Sequence, residues 1–244
     1  MENKNVSRRN TLMEIRRCET TNDVAVAGAN FIYARAGEAI AERNQFTLAL
    51  SGGSTPWQML GKLAEYDLPW ECMKIVQVDE RAAPDGDPER NLAHIRNKFA
   101  DRISLPAENL YAMPVTDDDL ELGARQYERG LSDLAGAPPV LDVVHLGLGG
   151  DGHTASLVPG DPVLNVCDRD VAATGLYNER RRMTLTYSII NRARYILWLV
   201  TGEGKAEMLG RMIHADRDIP AGRVSQRQAI VVADAAALSG HHQK

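Results

Sequence analysis

Leu141-Asp142-Val143-Val144-His145-Leu146 runs directly into Gly147-Leu148-Gly149-Gly150-Asp151-Gly152-His153-Thr154-Ala155-Ser156. The first six residues form the short apolar run of a buried strand, and the glycines that follow let the chain turn sharply at its end. The turn sets an aspartate and a histidine at the mouth of that strand. An imidazole can give and take a proton near neutral pH, and a carboxylate two residues away can fix its tautomer and stabilise its charged form.

The same letters have other readings. Gly147, Gly149 and Gly152 satisfy G-x-G-x-x-G, which after a strand can be a dinucleotide fingerprint. Asp151 inside the loop would repel a pyrophosphate, and the unit lies mid-chain rather than opening it. A purely structural turn, with His153 only capping or packing, is disfavoured by the segments found elsewhere. A serine nucleophile, Ser54 or Ser156 served by His153 and Asp151, lacks the G-x-S-x-G setting.

Outward from this stretch, strand and helix signals alternate. Thr21–Asn44 reads as a long alanine-rich helix with Val24, Ala27, Phe31 and Ala34 at helical spacing, and Phe46–Leu50 as a strand. Ser51-Gly52-Gly53-Ser54-Thr55-Pro56 then opens a helix, with Thr55 as N-cap and Pro56 at the first helical position. Strand Lys74–Val78 ends in Asp79-Glu80-Arg81, and a loop with Pro84, Gly86 and Pro88 leads to helix Glu89–Phe99. Leu110–Met113 is a strand. Thr116 with Asp117, Asp118 and Asp119 starts a helix whose acidic first turn complements the helix dipole. Val171–Thr174, Met183–Thr186, Tyr195–Thr201 and Ala229–Val232 read as further strands, and Gly202-Glu203-Gly204-Lys205 turns into a helix reaching about Ala215.

Such alternation predicts an α/β fold, a mostly parallel sheet covered by helices on both faces. SGGSTP, DER, GLGGDGH and TGEGK each fall just after an expected strand. In open α/β sheets ligands bind outside the carboxyl ends of the strands, so the four segments converge on one edge. Ser51, Gly52, Gly53, Ser54 and Thr55 offer backbone N–H groups and hydroxyls at a helix start, an anion site without the nucleoside-triphosphate pattern. Arg81 and Lys205 add cations at the same edge, and Arg182 heads a strand behind Arg180 and Arg181.

The 244 residues are 44% hydrophobic, enough for one large core, with 28 basic against 33 acidic residues and a net charge of −5. That balance gives no global field for nucleic acid. Cys18, Cys72 and Cys167 are never in a C-x-x-C pair, which suits a reducing cytoplasm and argues against disulfides or a thiolate zinc site. The six histidines show no metal-ligand spacing. Ser7-Arg8-Arg9 is twin-arginine-like, but charged residues follow where an apolar region should stand. No run is long enough to span a membrane. Residues 1–19 are expected to be a flexible polar extension, the His241-His242 tail mobile, and 20–240 a single α/β domain.

LALSGGSTP (48–56), VDER (78–81), Asn91, LGLGGDGHTASLVPG (146–160), RMTLT (182–186) and TGEGKAEML (201–209) resemble the glucosamine-6-phosphate isomerase/6-phosphogluconolactonase family, over about residues 20–238. Ile219-Pro220-Ala221 and Asp234–Leu238 are similar to its ending. The lactonase branch fits best. The resemblance implies a Rossmann-like fold shared with glucosamine-6-phosphate deaminase, and hydrolysis of 6-phosphoglucono-1,5-lactone without metal or organic cofactor. It implies His153 as general base, Asp151 orienting it, and Gly52, Gly53, Ser54, Thr55, Arg81, Arg182 and Lys205 around the sugar phosphate. Asp79 has a role that differs between the two activities. In the deaminases a glutamate stands five residues after the histidine, where this chain has Val158. The expected partner is a small sugar-phosphate lactone, with no nucleic acid or membrane, in a monomer or small homo-oligomer. A non-catalytic sugar-phosphate sensor would reuse the same fold. The retained Asp151 and His153 favour turnover, and no DNA-binding segment is expected ahead of the domain.

Overall fold

A computed structural model describes residues 13–116 and 119–240. In chain order the strands are β1 (Glu14–Cys18), β2 (Phe46–Leu50), β3 (Met73–Gln77), β4 (Asp79–Arg81), β5 (Leu110–Tyr111), β6 (Val143–Leu146), β7 (Val171–Ala173), β8 (Arg182–Leu185), β9 (Tyr195–Val200) and β10 (Ala229–Asp234). The helices are α1 (Thr21–Arg43), α2 (Ser54–Leu63), α3 (Asn91–Lys98), α4 (Leu120–Ala135), α5 (Tyr187–Ile190) and α6 (Ala206–Ile213). Seven strands form one sheet in the order β1-β10-β9-β6-β2-β3-β5, every pairing parallel.

The strands read as continuous apolar runs because both faces are covered. On β2, Phe46, Leu48 and Leu50 enter one core and Ala49 the other; on β9, Leu197 and Leu199 enter the first and Ile196, Trp198 and Val200 the second. That is the two-residue period of a pleated strand. Residues of α1, α2 and α3 close the first face, and residues of α4, α5 and α6 the second. A capping box of Thr20 and Asp23 starts α1, and Asn44 ends it in the left-handed region. Gly28 lets α1 lie close to Leu199 and Met59: a Cβ there would stand 3.0 Å from each.

Several expectations are revised. Glu14–Cys18, read as part of a flexible extension, is an edge strand in register with Ile230–Asp234. An edge strand pairs on one side only and tolerates outward Glu and Arg, so half-buried Ile15 and Cys18 suffice where no apolar run exists. The buried stripe of α1 is Val24, Ala25, Ala29, Ile32, Ala36 and Ala39, rotated from the expected one, and Ala34 is exposed. Helix α4 starts at Leu120, with Asp119 as N-cap accepting from the Leu122 N–H at 2.9 Å. Residues 1–12, Asp117, Asp118 and the His241-His242 tail lie outside the described residues.

The largest departure is a second sheet. The DER segment is itself a strand, and β4, β8 and β7 form a three-stranded antiparallel sheet instead of joining the parallel one. Strand alternation sends Asp79 and Arg81 to one side of β4 and Glu80 to the other. Glu80 is fully buried and accepts four hydrogen bonds of 2.8 Å, from the N–H groups of Arg81, Asn91 and Leu92 and from the Gln77 amide. Arg90, also buried, pairs with it at 3.6 Å. Glu80 therefore fixes the start of α3 to β4. Glu80→Ala leaves these donors unsatisfied and the buried Arg90 with only the exposed Asp85 at 3.2 Å, so urea unfolding should show a loss of about 3–5 kcal/mol.

Candidate active site

The strand order turns back between β2 and β6: β2 leads outward through β3 to β5, and β6 through β9 to β10. Crevices at such points are where open α/β sheets bind ligands. The loops leaving these two adjacent strands wall a cavity of about 250 Å³, Ser51–Gly53 on one side and Gly147–Gly150 with His153 on the other. Asp79 and Arg81 come from β4, Arg182 from β8, Asn91 from the first turn of α3, and Lys205 from the turn after β9. A larger cavity of about 830 Å³, lined by Arg180, Arg181 and Glu179, holds no histidine.

His153 is held by its neighbour two residues back. Asp151 Oδ1 lies 2.5 Å from His153 Nδ1 and also accepts the His153 backbone N–H at 3.1 Å. Burial acts to raise the Asp151 pKa, but the His153 backbone hydrogen bond, the His153 ring and the Tyr177 hydroxyl outweigh it and hold it below the usual range. A carboxylate can only accept, so Nδ1 carries the proton and Nε2 is left as the basic atom of the neutral ring. His145, on β6, is fully buried; burial pushes it down to about 3, and its Nδ1 accepts from the Ser51 N–H at 3.4 Å. Among the described histidines, His153 alone lines the cavity.

Two glycines make room for this arrangement. A Cβ on Gly149 would stand 2.1 Å from His153 Nδ1 and 2.6 Å from Asp151 Oδ1, and one on Gly52 would stand 2.1 Å from Asn91 Oδ1. Gly149→Ala should leave the fold intact and cut turnover about 10²-fold, the cost of shifting a reacting group by an ångström. Steady-state kinetics beside a thermal melt would show it.

The opposite wall is cationic. Antiparallel register sets Arg81 directly across from Arg182. Like charges opposite one another on a sheet are destabilising, and an anion between or above them would offset the repulsion. Arg182 is 7% exposed, forms no ion pair among the described residues, and its Nε has no hydrogen-bond partner there. Burial is the largest cause that lowers its pKa, with Arg81 acting the same way and Asp79 against. Arg81 Nη1 donates to the Glu89 carbonyl and to Asn91 Oδ1. Asp79 is buried, its two oxygens accepting from Ser51 Oγ at 3.3 Å and Ser156 Oγ at 2.7 Å.

Of the residues expected at the site, Ser51, Gly52, Gly53, Asp79, Arg81, His153, Arg182 and Lys205 line the cavity. Asp151 stands behind His153 as its hydrogen-bond partner. Ser54 and Thr55 fall outside the wall: Gly53, with φ of +134°, is the N-cap of α2, and the Thr55 hydroxyl turns to Thr201 Oγ1 at 2.8 Å. The cap of helix α2 thus lies two residues before the expected Thr55, with no side chain covering its first N–H groups. Ser156 is fully buried, donates its hydroxyl to Asp79 and does not line the cavity. Tyr177, whose hydroxyl donates to Asp151 Oδ2 at 3.1 Å, carries no pattern that would single it out in the sequence. Among the described residues no group of three or more His, Cys, Asp or Glu could hold a metal ion, and no helix is long and apolar enough to cross a membrane.

The family model described as glucosamine-6-phosphate isomerases/6-phosphogluconolactonase matches residues 19–233. The chain belongs to this family. A 6-phosphogluconolactonase of Synechocystis sp. is 40% identical over 188 residues, covering 75% of this chain and 78% of the relative. Its counterpart in Nostoc sp. is 36% identical over 193 residues, covering 78% and 80%. The crystal structure of a 6-phosphogluconolactonase from Thermotoga maritima matches with a TM-score of 0.80 at 26% identity, covering 91% of this chain and 98% of that one. The family description spans two activities.

Proposed function

We propose that this protein hydrolyses 6-phospho-D-glucono-1,5-lactone to 6-phosphogluconate in the oxidative pentose phosphate pathway. The observation that carries the reading is the His153–Asp151 contact of 2.5 Å, which leaves Nε2 free to take a proton inside an anion-binding cavity. A lactone is an activated ester, so water needs only modest help. His153 Nε2 removes a proton as the water oxygen bonds to the lactone carbonyl carbon. The tetrahedral intermediate then collapses, the bond from that carbon to the ring oxygen breaks, and His153 returns the proton to the departing oxygen. The acid product ionises.

Arg81 and Arg182 serve as the anion wall, for the phosphate or for the oxyanion that develops on the carbonyl. Lys205 supplies a further point charge. Phosphate binding, remote from the reacting bond, positions the carbonyl against His153. Asp79, fixed by Ser51 and Ser156, accepts from sugar hydroxyls and balances the two arginines. No metal or organic cofactor enters these steps. We place the activity in the cytoplasm, where Cys18, Cys72 and Cys167, all unpaired, suit a reducing environment.

The amino-sugar deaminase reading fails at one position. Five residues after His153 stands Val158, 4% exposed, where ring opening of an amino sugar calls for a carboxylate. The test is a choice of substrates at equal enzyme concentration. Acceleration of lactone hydrolysis with no ammonia from glucosamine 6-phosphate supports the lactonase; the reverse pattern establishes the deaminase; binding without turnover of either marks a sensor.

A further inference from the structure

Tyr177 sits at the tip of the hairpin that joins β7 to β8, and the mechanism above leaves it unused. Tyr177 and Arg180 bridge one another across Asn178 and Glu179, whose φ angles of 50° and 62° are both left-handed. Two consecutive residues of that kind make the tight primed turn of a two-residue hairpin, usually the province of Asn-Gly. The Arg180 guanidinium fastens the tip to the loop before α3, through Asp87 at 3.4 Å and Glu89 at 3.2 Å. Leu176, one residue earlier, is 75% exposed, whereas Tyr177 turns inward.

Four contacts meet on that inward side chain, one of them the Tyr177 hydroxyl 3.5 Å from His153 Nδ1. The hydroxyl donates to Asp151 Oδ2 at 3.1 Å, the oxygen that His153 does not use. The ring lies edge-on to the His153 imidazole with centroids 5.5 Å apart. The Arg182 guanidinium stands 5.0 Å over its face. We propose that Tyr177 is a positioning residue for the reaction: its hydroxyl locks the Asp151 carboxylate that orients His153, and its ring face seats Arg182.

An aspartate held by one oxygen can swing about its Cβ–Cγ bond, and the imidazole bonded to it swings too. Anchoring the second oxygen removes that freedom and keeps the proton on Nδ1. Burial first, and then the Asp151 charge, raise the Tyr177 phenol pKa, so it stays a donor across the neutral range. Cation–π contact gives the unpaired guanidinium a partner that leaves its N–H groups free for an anion. One side chain thereby sets the base and the anion wall at a fixed angle. The proposal rests on the lactonase reading for its kinetic consequences, but not for the orientation of His153.

Two variants separate the two duties. Tyr177→Phe keeps the ring and deletes the hydroxyl; kcat should fall about three- to tenfold with KM nearly unchanged. Tyr177→Leu also removes the seat of Arg182, and KM should rise as well. Nitrogen-15 NMR of the His153 ring, in the substrate-free protein, should show the Nδ1-protonated tautomer in wild type and a mixture in Tyr177→Phe. A Phe variant with wild-type kcat and an unchanged tautomer overturns the role of the hydroxyl, even if its melting temperature drops. A folded Leu variant with unchanged KM overturns the seating of Arg182. If wild type fails to accelerate lactone hydrolysis, the lactonase reading falls, and the NMR comparison alone decides whether Tyr177 orients His153.

Discussion

His153→Ala is expected to slow lactone hydrolysis by about 10²–10⁴-fold while KM stays close to the wild-type value. Removing the imidazole leaves the cationic wall and Asp79 in place, because the ring's hydrogen-bond partners among the described residues are Asp151 and Tyr177. Binding therefore survives and only the proton transfers are lost. The residual rate comes from positioning and from charge stabilisation of the intermediate. Asp151→Asn should fall between this variant and wild type: an amide can bond Nδ1 through its oxygen but carries no charge to stabilise the imidazolium. Initial rates corrected for spontaneous opening of the lactone would measure both. A His153→Ala enzyme with full activity removes the histidine from the mechanism.

Arg182→Met is expected to move activity and stability in opposite directions. A charge-assisted hydrogen bond to an anion contributes about 1.5–3 kcal/mol, so kcat/KM should fall roughly 10–150-fold. Yet the empty protein should become more heat-stable. Arg182 is buried, directly faces Arg81 across the strands, and has no ion pair among the described residues to offset its desolvation. Replacing such a cation by an apolar side chain of similar reach relieves both penalties, although Asp79 loses a neighbouring positive charge and the Tyr177 ring its cation–π contact. Burial is the largest cause holding the Arg182 pKa down, which indicates that the net environment disfavours its charge. A gain of about 1 kcal/mol would raise the melting temperature by about 2–4 °C. Scanning calorimetry of the ligand-free proteins tests this, and a melting temperature lowered by several degrees would mean that Arg182 is a structural cation.

The parallel sheet was legible because its strands are buried on both faces and show as apolar runs, and because each is followed by small or glycine-rich turns. Most of the site was legible for the same reason: Gly52, Asp79, Arg81, His153 and Lys205 all lie within a few residues after such runs. The small antiparallel sheet was not. Asp79-Glu80-Arg81 has no apolar residue, and its strand character comes from pairing with Arg182-Met183-Thr184, a hundred residues away in the chain. The cross-strand Arg81–Arg182 pair follows from that register and from nothing local. Glu14–Cys18 was missed because an edge strand needs few apolar contacts, here those of Ile15 and Cys18. Tyr177 was missed because a two-residue turn with Asn-Glu at its tip lacks the glycine that usually announces it. Thr55 was misplaced for a converse reason. Its hydroxyl suits a helix cap, but the positive φ of Gly53 starts α2 early and leaves Thr55 to bond Thr201.

The most direct measurement is the disappearance of 6-phosphogluconolactone, generated freshly from glucose 6-phosphate, against its spontaneous rate at increasing concentrations of the wild-type protein. A rate that rises in proportion to protein, and that His153→Ala reduces to near the spontaneous value, is the expected result. A rate indistinguishable from spontaneous opening at every protein concentration would contradict the assignment of this cavity to lactone hydrolysis.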